Sequence, residues 1–147
     1  MLSYDWHKKH LELAKHISTW SKDPSTQIGA VIASQTGQIL SLGYNGFPRG
    51  IADTDDRLND REQKYQLIVH AEMNAIYNAT LNGVSLRDSI LYVHGLPVCK
   101  DCALGIIQVG IKLVVMPENQ TMSNTWAESW EKTKTVFTEA NVTWMFI

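Results

Sequence analysis

The sequence predicts an α/β protein, a three-layer α/β/α sandwich built on a five-stranded mixed sheet. Two apolar runs, "IGAVIAS" at 28–34 and "QILSLGYN" at 38–45, are joined by a short polar stretch and predict a β-hairpin. After the hairpin, segments with helical periodicity alternate with short apolar runs typical of strands. That alternation favours parallel strand pairing, with helices on both faces of the sheet.

Each predicted element has its own signal. A first helix is marked by residues that step by four and three positions: Trp6, His10, Leu13, Ile17 and Trp20. It ends before Asp23-Pro24, because proline and the residue before it disfavour helical backbone. Residues 53–66 are rich in Asp, Asn and Arg, and we expect a solvated loop with room for one helical turn.

The second half of the chain predicts alternating helices and strands. A helix over about 70–81 is ended by Asn82-Gly83. The rest of the pattern predicts a strand at 89–95, a helix at 99–110, a strand at 111–116, a helix that includes Trp126 and Ala140, and a last strand at 142–147. In such sheets, functional residues gather where strands give way to helices.

Length and composition predict one domain covering residues 1–147, long enough to bury a core without disulfides. The formal net charge of −2 provides no basic surface for long nucleic acid, although a small anionic ligand remains compatible with it. No apolar run approaches the length of a membrane span, and residues 1–16 lack the apolar core of a signal peptide. We therefore expect a cytoplasmic protein with no membrane partner.

Three residues at predicted helix starts form a candidate zinc site: His70, Cys99 and Cys102. Zinc accepts imidazole and thiolate ligands, and a site with three protein ligands leaves a fourth position for water. Cysteines three apart in a first helical turn can face the same ion, and the helix N-terminus favours their thiolate form. Glu72 lies two residues after His70, where a carboxylate can exchange a proton with a zinc-activated water.

Taken singly, these signals are ambiguous. A lone histidine is usually structural, and C-x-x-C fits a thiol oxidoreductase, a structural zinc site or a catalytic one. The redox interpretation leaves His70 and Glu72 unexplained, and a structural zinc site would want a fourth protein ligand. Together, the H-x-E and P-x-C-x-x-C patterns indicate catalytic zinc, as in the nucleobase deaminases.

Four stretches carry a resemblance to a known family. "HAEMNAI" and "PVCKDC" resemble the cytidine deaminase superfamily, and "SKDPSTQIGAVI" and "GYNGFPRGI" resemble deoxycytidylate (dCMP) deaminases in particular. The similarity extends over roughly residues 20–116. The chain departs from the family pattern at Val98, which lies between Pro97 and Cys99, whereas the family usually has proline directly before the first cysteine.

The resemblance implies an activity: zinc-dependent hydrolysis of dCMP to dUMP and ammonia, which supplies dUMP for thymidylate synthesis. It implies one Zn²⁺ per chain, held by His70, Cys99 and Cys102, with Glu72 as the proton shuttle. The backbone amide of Ala71 is expected to contact the cytosine carbonyl. Rival activities remain open: deamination of free cytidine, of guanine or of adenosine in tRNA.

Nucleotide contacts are expected from two loops. By resemblance, Asn45 contacts the nucleotide, and its amide suits a sugar hydroxyl or a base edge. Lys22 and Thr26 lie near a helix-to-strand turn, where an ammonium and a hydroxyl can meet a phosphate. His94, which follows a strand and precedes the cysteines, is expected near the same pocket.

The resemblance also implies assembly and regulation. Related enzymes are commonly hexamers, and many are activated by dCTP and inhibited by dTTP, with Mg²⁺ accompanying the triphosphate. Tyr44, Gly46 and Arg49 of "GYNGFPRG" are the candidate effector-binding residues, because glycine amides and a guanidinium can bind phosphate oxygens.

Overall fold

The computed structural model describes residues 2–118 and 120–147, and within them it confirms the α/β fold with a five-stranded mixed sheet. The helices are α1 (Tyr4–Ser18), α2 (Asp55–Asn59), α3 (Arg61–Leu67), α4 (Ala71–Leu81), α5 (Lys100–Gln108) and α6 (Asn124–Glu139). The strands are β1 (Gly29–Ala33), β2 (Ile39–Tyr44), β3 (Ile90–His94), β4 (Leu113–Met116) and β5 (Thr143–Phe146).

The sheet order is β2-β1-β3-β4-β5. The predicted hairpin is present: β1 pairs antiparallel with β2, and it also pairs antiparallel with β3 on its other side. From β3 onward the strands are parallel, because α5 and α6 return the chain to the same end of the sheet. Helix α1 covers one face, and α4, α5 and α6 cover the other.

Two glycines let helices lie directly on the hairpin. A Cβ on Gly29 would be 2.0 Å from the carbonyl oxygen of Ala14 in α1. A Cβ on Gly43 would be 2.4 Å from the backbone nitrogen of Ala75 in α4. The close packing of α4 on β2 matters for function, because α4 begins directly after His70.

The buried face of α1 differs from the predicted stripe. Trp6 and Trp20 of that stripe are 46% and 52% exposed, whereas His10 is buried as predicted; His7, which lies outside the stripe, is buried too. Ala14 is fully buried, and its backbone approaches Gly29 closely, so this side of α1 packs on β1. His7 Nδ1 lies 2.7 Å from the Tyr92 hydroxyl of β3, which gives the buried ring a partner.

The expectation of a loop at 53–66 is wrong for the backbone, which forms two short helices, whereas most side chains there are exposed as predicted. Side chains cap two short helices there: Thr54 accepts from the Arg57 amide to begin α2, and Asp60 accepts from two amides to begin α3. Lys64 of α3 is buried, and its Nζ lies 3.1 Å from Asp23 Oδ1. Helix α3 therefore supports the loop that leads into β1.

Candidate active site

His70 is the N-cap of α4, but its side chain makes no cap hydrogen bond, so the ring is free to face α5. The chain before it is held by a two-way bridge, with Val69 N donating to Gly46 O at 2.8 Å and Gly46 N donating to Val69 O at 3.1 Å. Asn74, one turn into α4, donates from Nδ2 to the Tyr44 carbonyl at 2.8 Å. These contacts fix the start of α4 against the end of β2.

The two cysteines begin α5 directly opposite. Cys99 is the N-cap of that helix and Cys102 lies in its first turn, as the i and i+3 spacing predicts. Each Sγ lies 3.4 Å from His70 Nδ1, and the three donor atoms lie within 4.8 Å of one another. The fold thus joins residues that are 29 and 32 positions apart in the chain.

This donor set fits Zn²⁺. Tetrahedral zinc, with bonds of about 2.3 Å to sulfur and about 2.0–2.1 Å to nitrogen, implies a sulfur-to-nitrogen distance of about 3.5 Å. The observed separations of 3.4 Å agree with that value. Both sulfurs approach the same ring nitrogen, and this arrangement fits a shared metal ion better than it fits two separate hydrogen bonds. When bound, zinc supplies a water whose pKa is lowered enough to make it a nucleophile near neutral pH.

The pKa values of the three ligands show how strongly they interact. Hydrogen bonding to Cys99 raises the pKa of His70 to about 9. A hydrogen bond from Cys102 lowers the pKa of Cys99 to about 4, and the same bond raises the pKa of Cys102. These values describe protons that a metal ion replaces, because zinc binds thiolates and neutral imidazole.

Glu72 is the buried carboxylate of the site. Its side chain is 2% exposed, and Oε1 has no protein hydrogen-bond partner among the described residues. Burial raises its pKa to about 7, and the charge of His70 opposes this shift. Its own charge raises the pKa of His70 and of Cys102, so it acts on both halves of the ligand set. A carboxylate with a free oxygen and a pKa near 7 is suited to proton transfer.

Ala71 is the first residue of α4 and is fully buried. The first amides of a helix lack intrahelical acceptors, so the Ala71 N–H is a donor beside the ligand set. The expected contact of this amide with a substrate carbonyl stays a prediction.

Asn45 is buried and its amide is used within the protein. Oδ1 accepts from Ile28 N at 2.8 Å, while Nδ2 donates to Thr26 O at 2.9 Å and to Asp23 Oδ2 at 3.4 Å. Both amide protons are therefore engaged, and only one lone pair of Oδ1 is left for a ligand. Asn45 ties the loop at 21–28 to the end of β2, a role that the sequence did not indicate.

The two candidate phosphate residues lie on that loop. Lys22 is exposed, and its Nζ lies 3.1 Å from Asp53 Oδ2. Thr26 lines a cavity of about 340 Å³ together with Arg61 and Lys64 of α3. Helix α3, predicted as loop, thus places Arg61 in the same cavity as Thr26, whereas the Lys64 ammonium is paired with Asp23.

Tyr44, Gly46 and Arg49 line one groove of about 390 Å³ between β2 and α4, which also contains Asn78. The Arg49 guanidinium donates to the Asn78 side chain. The structure therefore brings the three candidate effector residues together.

The expectation that His94 lies near the active site is wrong. It faces α1, on the sheet face opposite to the zinc ligands, where it lines a groove with Lys15 and Ile147. Neighbouring residues of β3 point to opposite faces, and Val93 belongs to the core on the zinc side. Because β3 is apolar on both faces, its sequence carries no alternation that could have predicted this.

No helix among the described residues has the length and apolar character needed to cross a membrane.

Comparisons with known proteins agree with this geometry. The family model for the cytidine and deoxycytidylate deaminase zinc-binding region matches residues 4–118. An uncharacterized deaminase in the luxG 3′ region of Aliivibrio fischeri is 39% identical over 143 residues, covering 95% of this chain and 93% of the relative. The deoxycytidylate deaminase of Homo sapiens is 36% identical over 148 residues, covering 95% of this chain and 78% of the relative.

A solved structure shows the same fold. The dCMP deaminase of cyanophage S-TIM5, in complex with dCMP and dUMP, superposes with a TM-score of 0.79 at 22% identity, covering 100% of both chains. The family match and the relatives above agree with the cluster of His70, Cys99 and Cys102 beside the buried Glu72. The chain therefore belongs to the cytidine and deoxycytidylate deaminase family, whose members are hydrolytic deaminases.

Proposed function

We propose that this chain converts dCMP and water into dUMP and ammonia, and so supplies dUMP for thymidylate synthesis. The observation that carries the proposal is the convergence of His70, Cys99 and Cys102 beside a buried carboxylate with one free oxygen. The relatives named deoxycytidylate deaminase, including that of Homo sapiens, support dCMP as the substrate.

The protein groups have defined roles in this reaction. His70, Cys99 and Cys102 hold the zinc ion. Glu72 takes a proton from the attacking water and passes it to ring N3. It then takes the proton of the new C4 hydroxyl and delivers it to the amino group, so that the C4–N bond breaks, the C4 carbonyl forms and ammonia leaves. The Ala71 N–H donates to the cytosine carbonyl and orients the ring. The buried position of Glu72 excludes bulk water, which otherwise competes for its protons.

Nucleotide binding is assigned to the loop at 21–28. Lys22 and Thr26 bind the phosphate, aided by Arg61 of α3, which lines a cavity with Thr26. The free lone pair of Asn45 Oδ1 accepts from a sugar hydroxyl, while its amide protons keep the loop in place.

The test is turnover of dCMP beside deoxycytidine, cytidine, guanine and tRNA. We expect dCMP to be preferred, and Glu72→Gln to lower its turnover by about 10²–10⁴-fold without loss of zinc. Glu12→Gln, on the exposed side of α1, is the matched control and should retain activity. Equal turnover of dCMP and deoxycytidine would contradict the proposal that the mononucleotide is the preferred substrate. An active Glu72→Gln enzyme would contradict the role of Glu72 as the proton shuttle.

We propose regulation at the groove formed by Tyr44, Gly46 and Arg49, with dCTP as activator, dTTP as inhibitor and Mg²⁺ bound to the triphosphate. The guanidinium and the loop amides supply the phosphate donors. Turnover of dCMP should fall with millimolar dTTP and recover with dCTP, and Arg49→Ala should weaken both responses. Turnover of dCMP that does not change with dTTP or dCTP would contradict the proposed regulation.

We propose that the chain assembles as a hexamer in the cytoplasm, that residues 1–147 act as a single domain, and that each chain holds one Zn²⁺. Both cysteines are spent on one ion, which leaves none for a second cysteine site. Light scattering coupled to size exclusion tests the assembly, and elemental analysis tests the stoichiometry. Two zinc ions per chain would contradict it.

A further inference from the structure

A turn formed by residues 97–100, here called the cysteine turn, leads from β3 into α5 and carries Cys99. Three of its backbone groups are hydrogen-bonded by side chains of α6. The Trp126 indole N–H donates to Pro97 O at 2.7 Å, and the Thr133 hydroxyl donates to Val98 O at 2.9 Å. The Lys100 N–H donates to Ser129 Oγ at 2.8 Å.

The three α6 residues lie on one helix face. Positions 126, 129 and 133 are spaced i, i+3 and i+7, so their side chains point the same way. The face is fixed by core residues on the same helix, since Trp130 and Phe137 are 7% and 0% exposed. The three hydrogen bonds to the cysteine turn therefore come from a helix that is firmly packed in the core.

The cysteine turn needs partners from outside. Val98 is fully buried, so water does not reach the carbonyl that this residue contributes. Lys100 begins α5, and the first amides of a helix have no intrahelical acceptor. Val98 is also the residue by which this chain departs from the usual family spacing, so α6 holds the backbone where the extra residue enters.

Helix α6 reaches the other half of the ligand set as well. The Trp126 ring lies 6.1 Å from the His70 ring, centroid to centroid, at 33° between planes. The indole is pinned at its nitrogen by Pro97, so it forms a fixed wall beside His70. Trp126 thus contacts both segments that supply zinc ligands.

We propose that Trp126, Ser129 and Thr133 are positioning residues that hold the cysteine turn and His70 in zinc-binding geometry, an inference that rests on the proposed zinc site. They act through the backbone of the residues that flank Cys99 and through the Trp126 ring beside His70, and they do not touch the reacting atoms. Loss of such outer contacts typically weakens metal sites by about 10–100-fold.

The test measures zinc release and the absorption spectrum of the Co²⁺-substituted protein. In Thr133→Val, which keeps the shape and removes the hydroxyl, zinc transfer to a chelator should be about tenfold faster or more. The cobalt-thiolate bands should shift, because the sulfur positions relax. Thr133→Ser should restore both readouts, since it keeps the hydroxyl.

Thr138→Val is the matched control. Its hydroxyl donates to the Lys134 carbonyl within α6 at 2.7 Å and does not contact the cysteine turn. This variant should release zinc at the wild-type rate. Ser129→Ala and Trp126→Phe are further tests of the same clamp in case Thr133→Val fails to fold, and each should speed zinc release.

Wild-type zinc release and wild-type cobalt bands in the three clamp variants would overturn the inference, even if their melting temperatures fall. Equal acceleration in Thr138→Val would overturn it too, because the effect would then come from general loosening of α6. Zinc content of the wild-type protein separates these outcomes from failure of the zinc site itself, and neither readout depends on dCMP being the substrate.

Discussion

The buried ion pair between Asp23 and Lys64 predicts an asymmetric loss of stability. Their side chains are only 7% and 6% exposed, and the pair joins the loop at 21–28 to α3. The Asp23 carboxylate also accepts from the amides of Ser25 and Thr26 and from Asn45 Nδ2. Among the described residues, Lys64 Nζ has Asp23 as its hydrogen-bond partner and no other.

The magnitude follows from what each substitution leaves behind. Breaking a buried pair costs about 3–5 kcal/mol when the remaining charge is uncompensated. In Lys64→Met the carboxylate keeps three donors, so we expect about 3 kcal/mol, the lower end of that range. In Asp23→Asn the buried ammonium loses its counter-charge and keeps only a neutral amide oxygen as acceptor, while the new NH2 group meets the Asn45 amide, so we expect at least about 4 kcal/mol.

Chemical denaturation of the zinc-loaded protein at fixed concentration measures these values. For a chain of this length, about 3 kcal/mol corresponds to a fall of roughly 6–12 °C in melting temperature. Lys22→Met is the matched control: the Lys22–Asp53 pair has the same 3.1 Å separation but is 67% and 43% exposed. It should cost less than about 1 kcal/mol. A larger loss in Lys64→Met than in Asp23→Asn would refute this reasoning.

Three further outcomes are expected. Gly43→Ala places a Cβ 2.4 Å from Ala75 N, so α4 must shift; zinc affinity and turnover should both fall, and normal values would contradict the close-packing argument. Burial, followed by the charge of His10, lowers the pKa of His7 below its ordinary value of about 6.5. The unfolded chain therefore binds a proton below pH 6.5 that the folded chain does not, so acidification toward pH 5 should lower the urea midpoint. His7→Gln should flatten that dependence, and an unchanged slope would exclude this histidine as its source. Chelation of zinc should abolish dCMP turnover and lower the melting temperature, with recovery on adding Zn²⁺; turnover that survives chelation would reject zinc catalysis.

The ligand residues were predictable from the sequence because their signals are local. Cys99 and Cys102 are three apart at a helix start, and one turn of helix suffices to bring both sulfurs to one side. His70 and Glu72 precede an apolar helical pattern, and His70 is indeed the N-cap of α4. Sequence-order alternation likewise predicted the parallel part of the sheet, since a crossover helix returns each strand to the same end.

The predictions for His94 and Lys64 were wrong because the positions of these residues depend on contacts with distant segments of the chain. His94 follows a strand as functional residues often do, but which face of β3 it occupies depends on the packing of α1. Lys64 falls in the segment predicted as a solvated loop because that segment is rich in Asp, Asn and Arg, and its ion pair with Asp23 makes its burial tolerable.

The sequence by itself determined which residues form the candidate metal ligands, and that they lie at helix starts, because helix caps and turns involve neighbours in the chain. Only the tertiary structure decided that His70 meets two sulfurs 29 and 32 residues away. It also decided that the Asn45 amide hydrogen-bonds to the loop at 21–28, and that α6 supports the cysteine turn. These contacts join distant segments, and their formation depends on how layers pack around the sheet, which no local pattern encodes.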